Sequence, residues 1–215
     1  MPPLFITFEG LDGSGKSTQI EAARGFLESL GRDVVLTHEP GGTELGERLR
    51  EAFLDPAGDL RDGLVEALVV FASRRQHLLE VVEPALAAGR DVLCDRFTDS
   101  TIAYQGAGRG VAMEALERLD AIATGSRRPD LTLLIDVPAD TARGRAAGGR
   151  RRRRGAVDRL DRERLAFYER VRAGYLEIAA SAPDRVRVID GRGDVEATAA
   201  ATREALRPAL GVDDD

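Results

Sequence analysis

The feature that most constrains the fold is the glycine-rich segment Gly10-Leu-Asp-Gly-Ser-Gly-Lys-Ser17, which follows an apolar run and opens a helical pattern. It matches the pattern G-x-x-x-x-G-K-[ST] of phosphate-binding P-loops. Glycines let the backbone come close to phosphate oxygens, so that successive N–H groups and a helix N-terminus can point at the anion. In such a loop Lys16 would reach the β- and γ-phosphates, and the Ser17 hydroxyl would ligate Mg²⁺. The alternative is a glycine-rich turn that matches by chance.

Lysine usage favours the P-loop interpretation. The chain has 31 lysine and arginine residues, and Lys16 is the only lysine among them. An ammonium group is a compact point charge, whereas a guanidinium is a rigid planar fork that fits this cradle poorly. The predicted ATP-binding residues of the loop are Gly10, Leu11, Asp12, Gly13, Ser14, Gly15, Lys16, Ser17 and Thr18.

Short apolar runs alternate with helical patterns along the chain, which is typical of a parallel sheet with helices on both faces. Strands are predicted at 4–9, 33–37, 91–95, 131–137 and 185–190. Helices are predicted at 17–30, 44–54, 63–88 with a kink at Pro84, 111–124, 141–154 with an irregular Gly/Arg end, 158–181 and 196–210. We therefore predict the α/β three-layer fold of P-loop NTPases, with a five-stranded parallel sheet, in one domain spanning 1–215.

Composition excludes several other classes of protein. The net charge of −6 argues against a general nucleic-acid binder, and no apolar run approaches the roughly 18–20 residues that a membrane span needs. Cys94 is the only cysteine, so an internal disulfide is excluded and a reducing cytoplasm is expected. His38 and His77 lie far apart in the sequence and there is one cysteine, so we expect no zinc site.

Two other kinds of P-loop protein fit the sequence less well. The guanine-reading motif of GTPases contains a lysine and usually an asparagine, but this chain has no second lysine and no asparagine. A DNA-handling ATPase would account for the arginine run 150–154, yet such proteins usually carry further domains and a basic surface.

Five further blocks identify the kind of P-loop protein. They are Glu39-Pro-Gly-Gly-Thr43, Ala72-Ser-Arg-Arg-Gln-His77, Asp95-Arg-Phe-Thr-Asp-Ser-Thr-Ile-Ala-Tyr-Gln-Gly106, Arg128-Pro-Asp-Leu-Thr-Leu-Leu-Ile-Asp136 and the basic segment that ends in Asp158-Arg-Leu-Asp161. With these blocks in order, the chain resembles bacterial thymidylate kinases over essentially its whole length. The resemblance implies transfer of the ATP γ-phosphate to dTMP with Mg²⁺, and a homodimer. The charge and hydropathy described above predict no nucleic-acid or membrane partner. A broader nucleoside-monophosphate kinase and a non-catalytic nucleotide-binding regulator remain alternatives.

The resemblance also implies a dTMP-binding set: Asp12, Glu39, Val70, Phe71, Arg74, Arg96, Thr101, Tyr104 and Gln105. In it, Asp12 accepts a hydrogen bond from the 3′-hydroxyl and Arg96 clamps the 5′-phosphate. Thr101 and Gln105 read the thymine edge, while Tyr104 fills the space of a ribose 2′-hydroxyl.

On the ATP side, the resemblance implies that Arg143 stacks on the adenine and that Asp95 joins Ser17 as a Mg²⁺ ligand. Some family members carry an arginine inside the P-loop, where this chain has Gly13. Members without it supply the arginine from a lid, here predicted at about 142–158. The predicted catalytic residues are Lys16, Arg96, Arg151, Arg153, Arg154 and Arg159.

The chain departs from the family in three places, one of which is a longer Gly/Arg segment before Asp158. His38 stands where an arginine is usual, which affects a phosphate-side contact, and Val70 stands at the position of the base-stacking phenylalanine, with Phe71 next to it. Structural roles also remain possible for the predicted site residues. Arg74 could belong to a solvated helix face, Glu39 to a tight turn, and Tyr104 to the core.

Overall fold

The computed structural model describes residues 2–57, 62–153, 159–160 and 163–211, without the side chains of 149–153. Its described residues form five parallel strands: β1 Phe5–Glu9, β2 Val34–His38, β3 Asp91–Asp95, β4 Leu131–Asp136 and β5 Val186–Asp190. Their order is β2-β3-β1-β4-β5. Every predicted strand is confirmed to within one residue at each end. The inner strands β1, β3 and β4 are almost fully buried, and buried parallel strands have nearly continuous apolar sequences.

The central strand β1 fixes the frame of the sheet. It pairs with β3 on one side and with β4 on the other, and Ile6 lies beside both Leu93 and Leu131. All parallel strands end at the same edge of the sheet, so the loops after β1, β2, β3 and β4 converge there. This edge carries the candidate site.

The helices in the described part of the chain are α1 Lys16–Ser29, α2 Glu44–Leu54, α3 Gly63–His77, α4 Glu83–Ala87, α5 Thr98–Thr101, α6 Met113–Thr124, α7 Ala139–Arg153, α8 Leu165–Ser181 and α9 Val195–Leu210. Two π-helical segments, Leu78–Val82 and Ile102–Gly108, join α3 to α4 and extend α5. The first π-helical segment ends just before the predicted kink site Pro84, which stands in the first turn of α4 where a missing N–H is tolerated. None of these helices is long and apolar enough to cross a membrane.

Helices cover both faces of the sheet. On one face α1 and α9 pack with Ile6, Leu93 and Leu133 around a buried apolar cluster. On the other face the long helical stretch that begins with α3 packs with Phe5 and Val92, and α8 covers β4 and β5. Alternate side chains of β1 point to opposite faces, which places Glu9 on the same side as α8.

Two helix predictions are wrong, and one helical segment was not predicted. The chain at 98–108 is helical, because burial against α8 overrides the poor helix propensity of its Thr, Tyr and Gly residues. Helix α7 runs to Arg153 instead of becoming irregular. Helix α8 begins at Leu165, not at 158, since the chain before it is used to bury Leu160, whose carbonyl accepts a hydrogen bond from the Tyr168 hydroxyl.

Candidate active site

The glycine-rich loop leads from β1 directly into α1, as the P-loop pattern predicts. Gly10 and Gly13 adopt positive φ angles of 133° and 86°, a region that favours glycine. A Cβ atom on Gly13 would lie 2.1 Å from the backbone oxygen of Ala142 in α7. The loop and α7 therefore touch at residue 13, and in this arrangement there is no room for an arginine there.

Lys16 is enclosed by the loop itself. Its Nζ donates hydrogen bonds to the backbone oxygens of Gly10 and Leu11, both at 3.1 Å, and the residue is 6% exposed. Burial lowers the pKa of Lys16, and the nearby Arg96 guanidinium acts in the same direction. Ser17 and Thr18, by contrast, are exposed at the start of α1.

Arg96 joins the end of β3 to the P-loop. It has a positive φ of 75°, which is uncommon for a residue with a side chain. Its Nη2 donates to Asp12 Oδ1 at 2.7 Å, and its Nη1 donates to Ser100 Oγ and to the Tyr175 hydroxyl, each at 2.9 Å. Burial favours a higher pKa for Asp12, but the Arg96 and Lys16 charges outweigh it and hold that pKa at about 2. Asp12 is therefore a carboxylate at neutral pH.

Arg74 is a buried residue of α3 and not part of a solvated helix face. It is 1% exposed, and its guanidinium carbon lies 4.8 Å from the ring centroid of Phe71. Its Nε donates to Glu39 Oε2 at 2.7 Å, and its Nη2 donates to Thr101 Oγ1 at 3.0 Å. Glu39 thus uses its side chain to hold Arg74, which goes beyond a role in a tight turn.

The carboxamide of Gln105 belongs to a second cluster of buried polar side chains. Its Nε2 donates to Glu66 Oε2 at 2.9 Å, and Glu66 is 1% exposed. Arg159 donates from Nη1 to Glu66 Oε1 at 2.6 Å and lies over the ring of Phe53. The structure therefore places Arg159, predicted as a lid arginine in the chemistry, beside the Gln105 cluster.

A cavity of about 470 Å³ lies between Asp12, Arg74, Arg96 and Gln105. Its walls contain Asp12, Gly13, Glu39, Pro40, Arg50, Phe53, Leu54, Val70, Arg74, Arg96, Ser100, Thr101, Tyr104, Gln105, Arg145, Ala146 and Leu160. All but one of the predicted dTMP-binding residues line it. The exception is Phe71, which packs with Ala67 and Leu116 away from the cavity, so Val70 is the member of that pair that faces it.

The other predicted site residues lie outside the cavity wall: Gly10, Leu11, Ser14, Gly15, Lys16, Ser17, Thr18, Phe71, Asp95, Arg143 and Arg159. The Arg143 guanidinium lies 5.8 Å from the ring centroid of Tyr168, and His38 pairs with Glu47 at 2.9 Å. The side chains of Arg151, Arg153 and Arg154, and the rest of the predicted lid up to 158, lie outside the described residues.

The comparison with protein families decides what kind of P-loop protein this is. The family model described as thymidylate kinase matches residues 8–201. The chain belongs to the thymidylate kinase family.

Relatives and solved structures agree with this assignment. The chain is 49% identical to the thymidylate kinase of Ectopseudomonas mendocina (strain ymp) over 210 residues, which cover 98% of this chain and 97% of the relative. It is 46% identical to the thymidylate kinase of Geobacter sp. (strain M21), covering 94% and 91% of the two chains. The crystal structure of thymidylate kinase from Ehrlichia chaffeensis is similar in fold, with a TM-score of 0.76, 35% identity, and coverage of 96% of this chain and 99% of that one.

Within this thymidylate kinase fold, Glu9 is a site neighbour that sequence reasoning missed. Its oxygens accept hydrogen bonds from the Phe97 N–H at 2.8 Å, from Ser100 Oγ at 2.5 Å and from the Tyr175 hydroxyl at 3.1 Å. Burial, reinforced by the nearby Asp99 carboxylate, raises the pKa of Glu9 to about 7. Glu9 thereby positions the same two hydroxyl groups that hold Arg96. The position of Glu9 directly before the P-loop is the sequence feature that could have indicated this role.

His77 is a second residue that sequence reasoning missed. It is fully buried, with Nδ1 lying 2.8 Å from Glu39 Oε1 and Nε2 lying 2.6 Å from Thr37 Oγ1. Glu39 is therefore shared between His77 and Arg74. The i,i+3 spacing of Arg74 and His77 on one face of α3 was a signal for this.

Proposed function

We propose that the chain transfers the γ-phosphoryl group of ATP to dTMP, giving ADP and dTDP. The observation that best supports this is the cavity, which extends from Asp12 and Gly13 of the P-loop to Thr101 and Gln105. A phosphate acceptor bound there would present its phosphate to the nucleotide held by the loop. Membership of the thymidylate kinase family and near full-length similarity to proteins of that name support the choice of dTMP.

The acceptor nucleotide is proposed to lie with its phosphate on Arg96 and its base near Gln105. A guanidinium held by several hydroxyl and carboxylate groups offers a planar, pre-oriented fork for a phosphate, as Arg96 does. The Asp12 carboxylate accepts a hydrogen bond from the 3′-hydroxyl of this nucleotide. Tyr104 is 5% exposed and lies against Arg96, where its ring limits the space beside the sugar.

The donor nucleotide is proposed to lie on the P-loop, with its phosphates at Lys16 and its adenine beside Arg143. Asp95 Oδ1 is buried and has no hydrogen-bonding partner in the described part of the chain, which fits a carboxylate that faces a cation. Ser17 and Asp95 would hold Mg²⁺ there. When bound, Mg²⁺ neutralises phosphate charge during transfer.

The reaction needs no protein base. The acceptor phosphate has a second pKa of about 6 and is already a dianion near neutral pH. The requirement is positive charge and in-line positioning, which we assign to Lys16, Arg96 and the lid arginines Arg151, Arg153 and Arg154, with Arg159 at the end of the lid. The lid at about 142–158, part of the single domain, closes over ATP and excludes water.

The direct test is a coupled ADP-release assay with ATP and a panel of nucleoside monophosphates. Among them dTMP is expected to give the highest kcat/KM. A clear preference for CMP, AMP or GMP would favour a broader nucleoside-monophosphate kinase, and tight ATP binding without turnover would favour a regulator. The only cysteine, Cys94, is buried and free, which supports a reducing cytoplasmic location.

We also propose that the protein is a homodimer that pairs through α3 and its neighbours. Val65 and Leu68 of α3 and Leu79 beyond it are 42%, 48% and 52% exposed at helical spacing, and the helices α2 and α6 that contact α3 carry the exposed residues Leu45 and Met113. Large exposed apolar patches mark association surfaces. Leu68→Glu is expected to give a monomer by light scattering. The control is Ile122→Glu, because Ile122 is 77% exposed but is not one of the residues assigned to the patch; this variant is expected to leave the dimer intact.

A further inference from the structure

Glu66 is a buried carboxylate that the proposed reaction does not use. Besides the Gln105 side chain, it accepts hydrogen bonds from Arg159 Nη1 on Oε1 at 2.6 Å and from Arg109 Nε, which lies 3.1 Å from Oε1 and 3.3 Å from Oε2. Its Oε2 accepts from Gln105 Nε2 at 2.9 Å. A charged side chain that is 1% exposed and fully engaged in this way fixes the groups around it.

The contact with Glu66 sets which end of the Gln105 carboxamide faces the cavity. A carboxylate carries acceptor oxygens only, so the group of Gln105 that meets it must be the NH₂. Gln105 Oε1 receives no hydrogen bond from the described residues, and Gln105 lines the cavity. Gln105 therefore offers an acceptor to a bound base.

Thr101, one helical turn earlier, is set with the opposite polarity. Its Oγ1 accepts from Arg74 Nη2, which can only donate. The hydroxyl hydrogen of Thr101 is then available as a donor, and Thr101 also lines the cavity. An adjacent donor and acceptor match the carbonyl and N–H at positions 4 and 3 of thymine or uracil, whereas cytosine presents an amine and an unprotonated nitrogen there.

We propose that Glu66 is a specificity-determining positioning residue, which selects bases with an N–H at ring position 3 by holding the Gln105 carboxamide in one orientation. This inference rests on the proposed function, because it assumes that the base lies beside Gln105. In this proposal the choice of base depends on Glu66 as well as on the residues that line the cavity.

The variant Glu66→Gln inverts this arrangement. The new carboxamide oxygen stays at the position of Oε1, which faces two arginine donors, so its NH₂ replaces Oε2 beside Gln105. Gln105 must then turn its oxygen towards residue 66 and its NH₂ towards the cavity. The ratio of kcat/KM for dTMP over dCMP is expected to fall about tenfold or more, the worth of one correctly oriented hydrogen bond.

Two controls separate base reading from general damage. The dTMP to dUMP ratio should not change in Glu66→Gln, since the two bases differ only by a methyl group and share the same polar edge. Glu163→Gln removes the other carboxylate on Arg109, which lies 2.6 Å from Arg109 Nη1, and should leave the dTMP to dCMP ratio unchanged. Equal losses for dTMP, dUMP and dCMP in Glu66→Gln would overturn the proposal and leave Glu66 a purely structural role.

If Glu66→Gln does not fold, a second variant tests base reading by Gln105, the step on which the claim depends. Gln105→Met keeps Glu66 with both arginines and removes the acceptor, so the dTMP to dCMP ratio should again fall; retention of the wild-type ratio would overturn the proposal. A wild-type enzyme that prefers another monophosphate would instead contradict the proposed function, and the panel assay shows this separately.

Discussion

The guanidinium of Arg96 donates to the Asp12 carboxylate at 2.7 Å, which ties the end of β3 to the P-loop. One residue thus comes from the loop that is assigned to ATP and the other from the strand end that is assigned to dTMP. The two proposed nucleotide sites are therefore in direct contact before any substrate binds. The positive φ of Arg96 is a local strain of the kind that clusters at functional sites.

Arg96→Lys is expected to lower kcat/KM for dTMP about 100-fold, while the KM for ATP changes little. A lysine keeps the charge but cannot contact Asp12, Ser100 and Tyr175 at once, and charge-assisted hydrogen bonds of this kind contribute roughly 1.5–3 kcal/mol each. Steady-state kinetics measures both constants. Arg118→Lys, in an exposed pair with Glu114, is the matched control; equal behaviour of the two variants would remove Arg96 from the acceptor site.

Lys16→Arg is expected to reduce kcat by several orders of magnitude, as is Lys16→Ala. The side chain is buried between the carbonyls of Gly10 and Leu11, and the larger guanidinium fork does not fit this space. Single-turnover assays at saturating ATP measure the effect, with Arg24→Lys on the exposed face of α1 as control. Near-wild-type turnover of Lys16→Arg would show that Lys16 is not the phosphate ligand.

Glu9 is expected to make the stability of the protein depend on pH. Its pKa is about 7 in the folded chain against an ordinary 4.5, so the native state binds the proton more tightly than the unfolded state. The resulting stabilisation is fully present below about pH 4.5 and is lost as pH rises through about 7.

Urea unfolding of the wild type and Glu9→Gln at several pH values checks this. Relative to the variant, the wild type should lose roughly 2–3 kcal/mol of unfolding free energy between about pH 5 and pH 8. The pKa of Asp12 is lowered to about 2, so Asp12 titrates below this range and does not interfere. Parallel pH profiles for the two proteins would contradict the raised pKa of Glu9.

Replacing the five arginines 150–154 with glutamine is expected to lower kcat strongly while the KM for dTMP changes little. An arginine that acts on charge developing during phosphoryl transfer is worth roughly 10³–10⁵ in rate in related chemistry. The close approach of Gly13 to α7 supports this source of charge, since the P-loop has no room for its own arginine. Arg159→Gln is tested separately, because Arg159 pairs with Glu66; an unchanged kcat in both variants would remove the lid from the chemistry.

The sheet and the P-loop could be predicted from the sequence because each depends on local signals. Buried parallel strands require apolar runs, and the loop requires glycines at positive φ next to one lysine. The helix at 98–108 could not be predicted in this way. Its residues are poor helix formers, and its stability comes from packing against α8, which is distant in sequence.

The buried polar residues of the site could not be predicted from local sequence signals either. Glu9, Glu66 and His77 look like ordinary polar residues in the sequence. Their hydrogen-bonding partners lie 38 to 166 residues away along the chain and come close only in the fold, as the contacts of His77 with Glu39 and of Tyr175 with Glu9 illustrate. The cavity-lining positions of Thr101 and Gln105 followed from the family resemblance. The roles assigned to them remain predictions until substrates are tested.

The most direct test of the central claim follows the phosphoryl group itself. Purified protein is incubated with Mg²⁺, ATP and dTMP, and the phosphorus nuclei are observed by NMR. The account predicts that ADP and dTDP signals grow together in equal amounts, while dTMP is consumed. Release of ADP and inorganic phosphate with dTMP unchanged would contradict it.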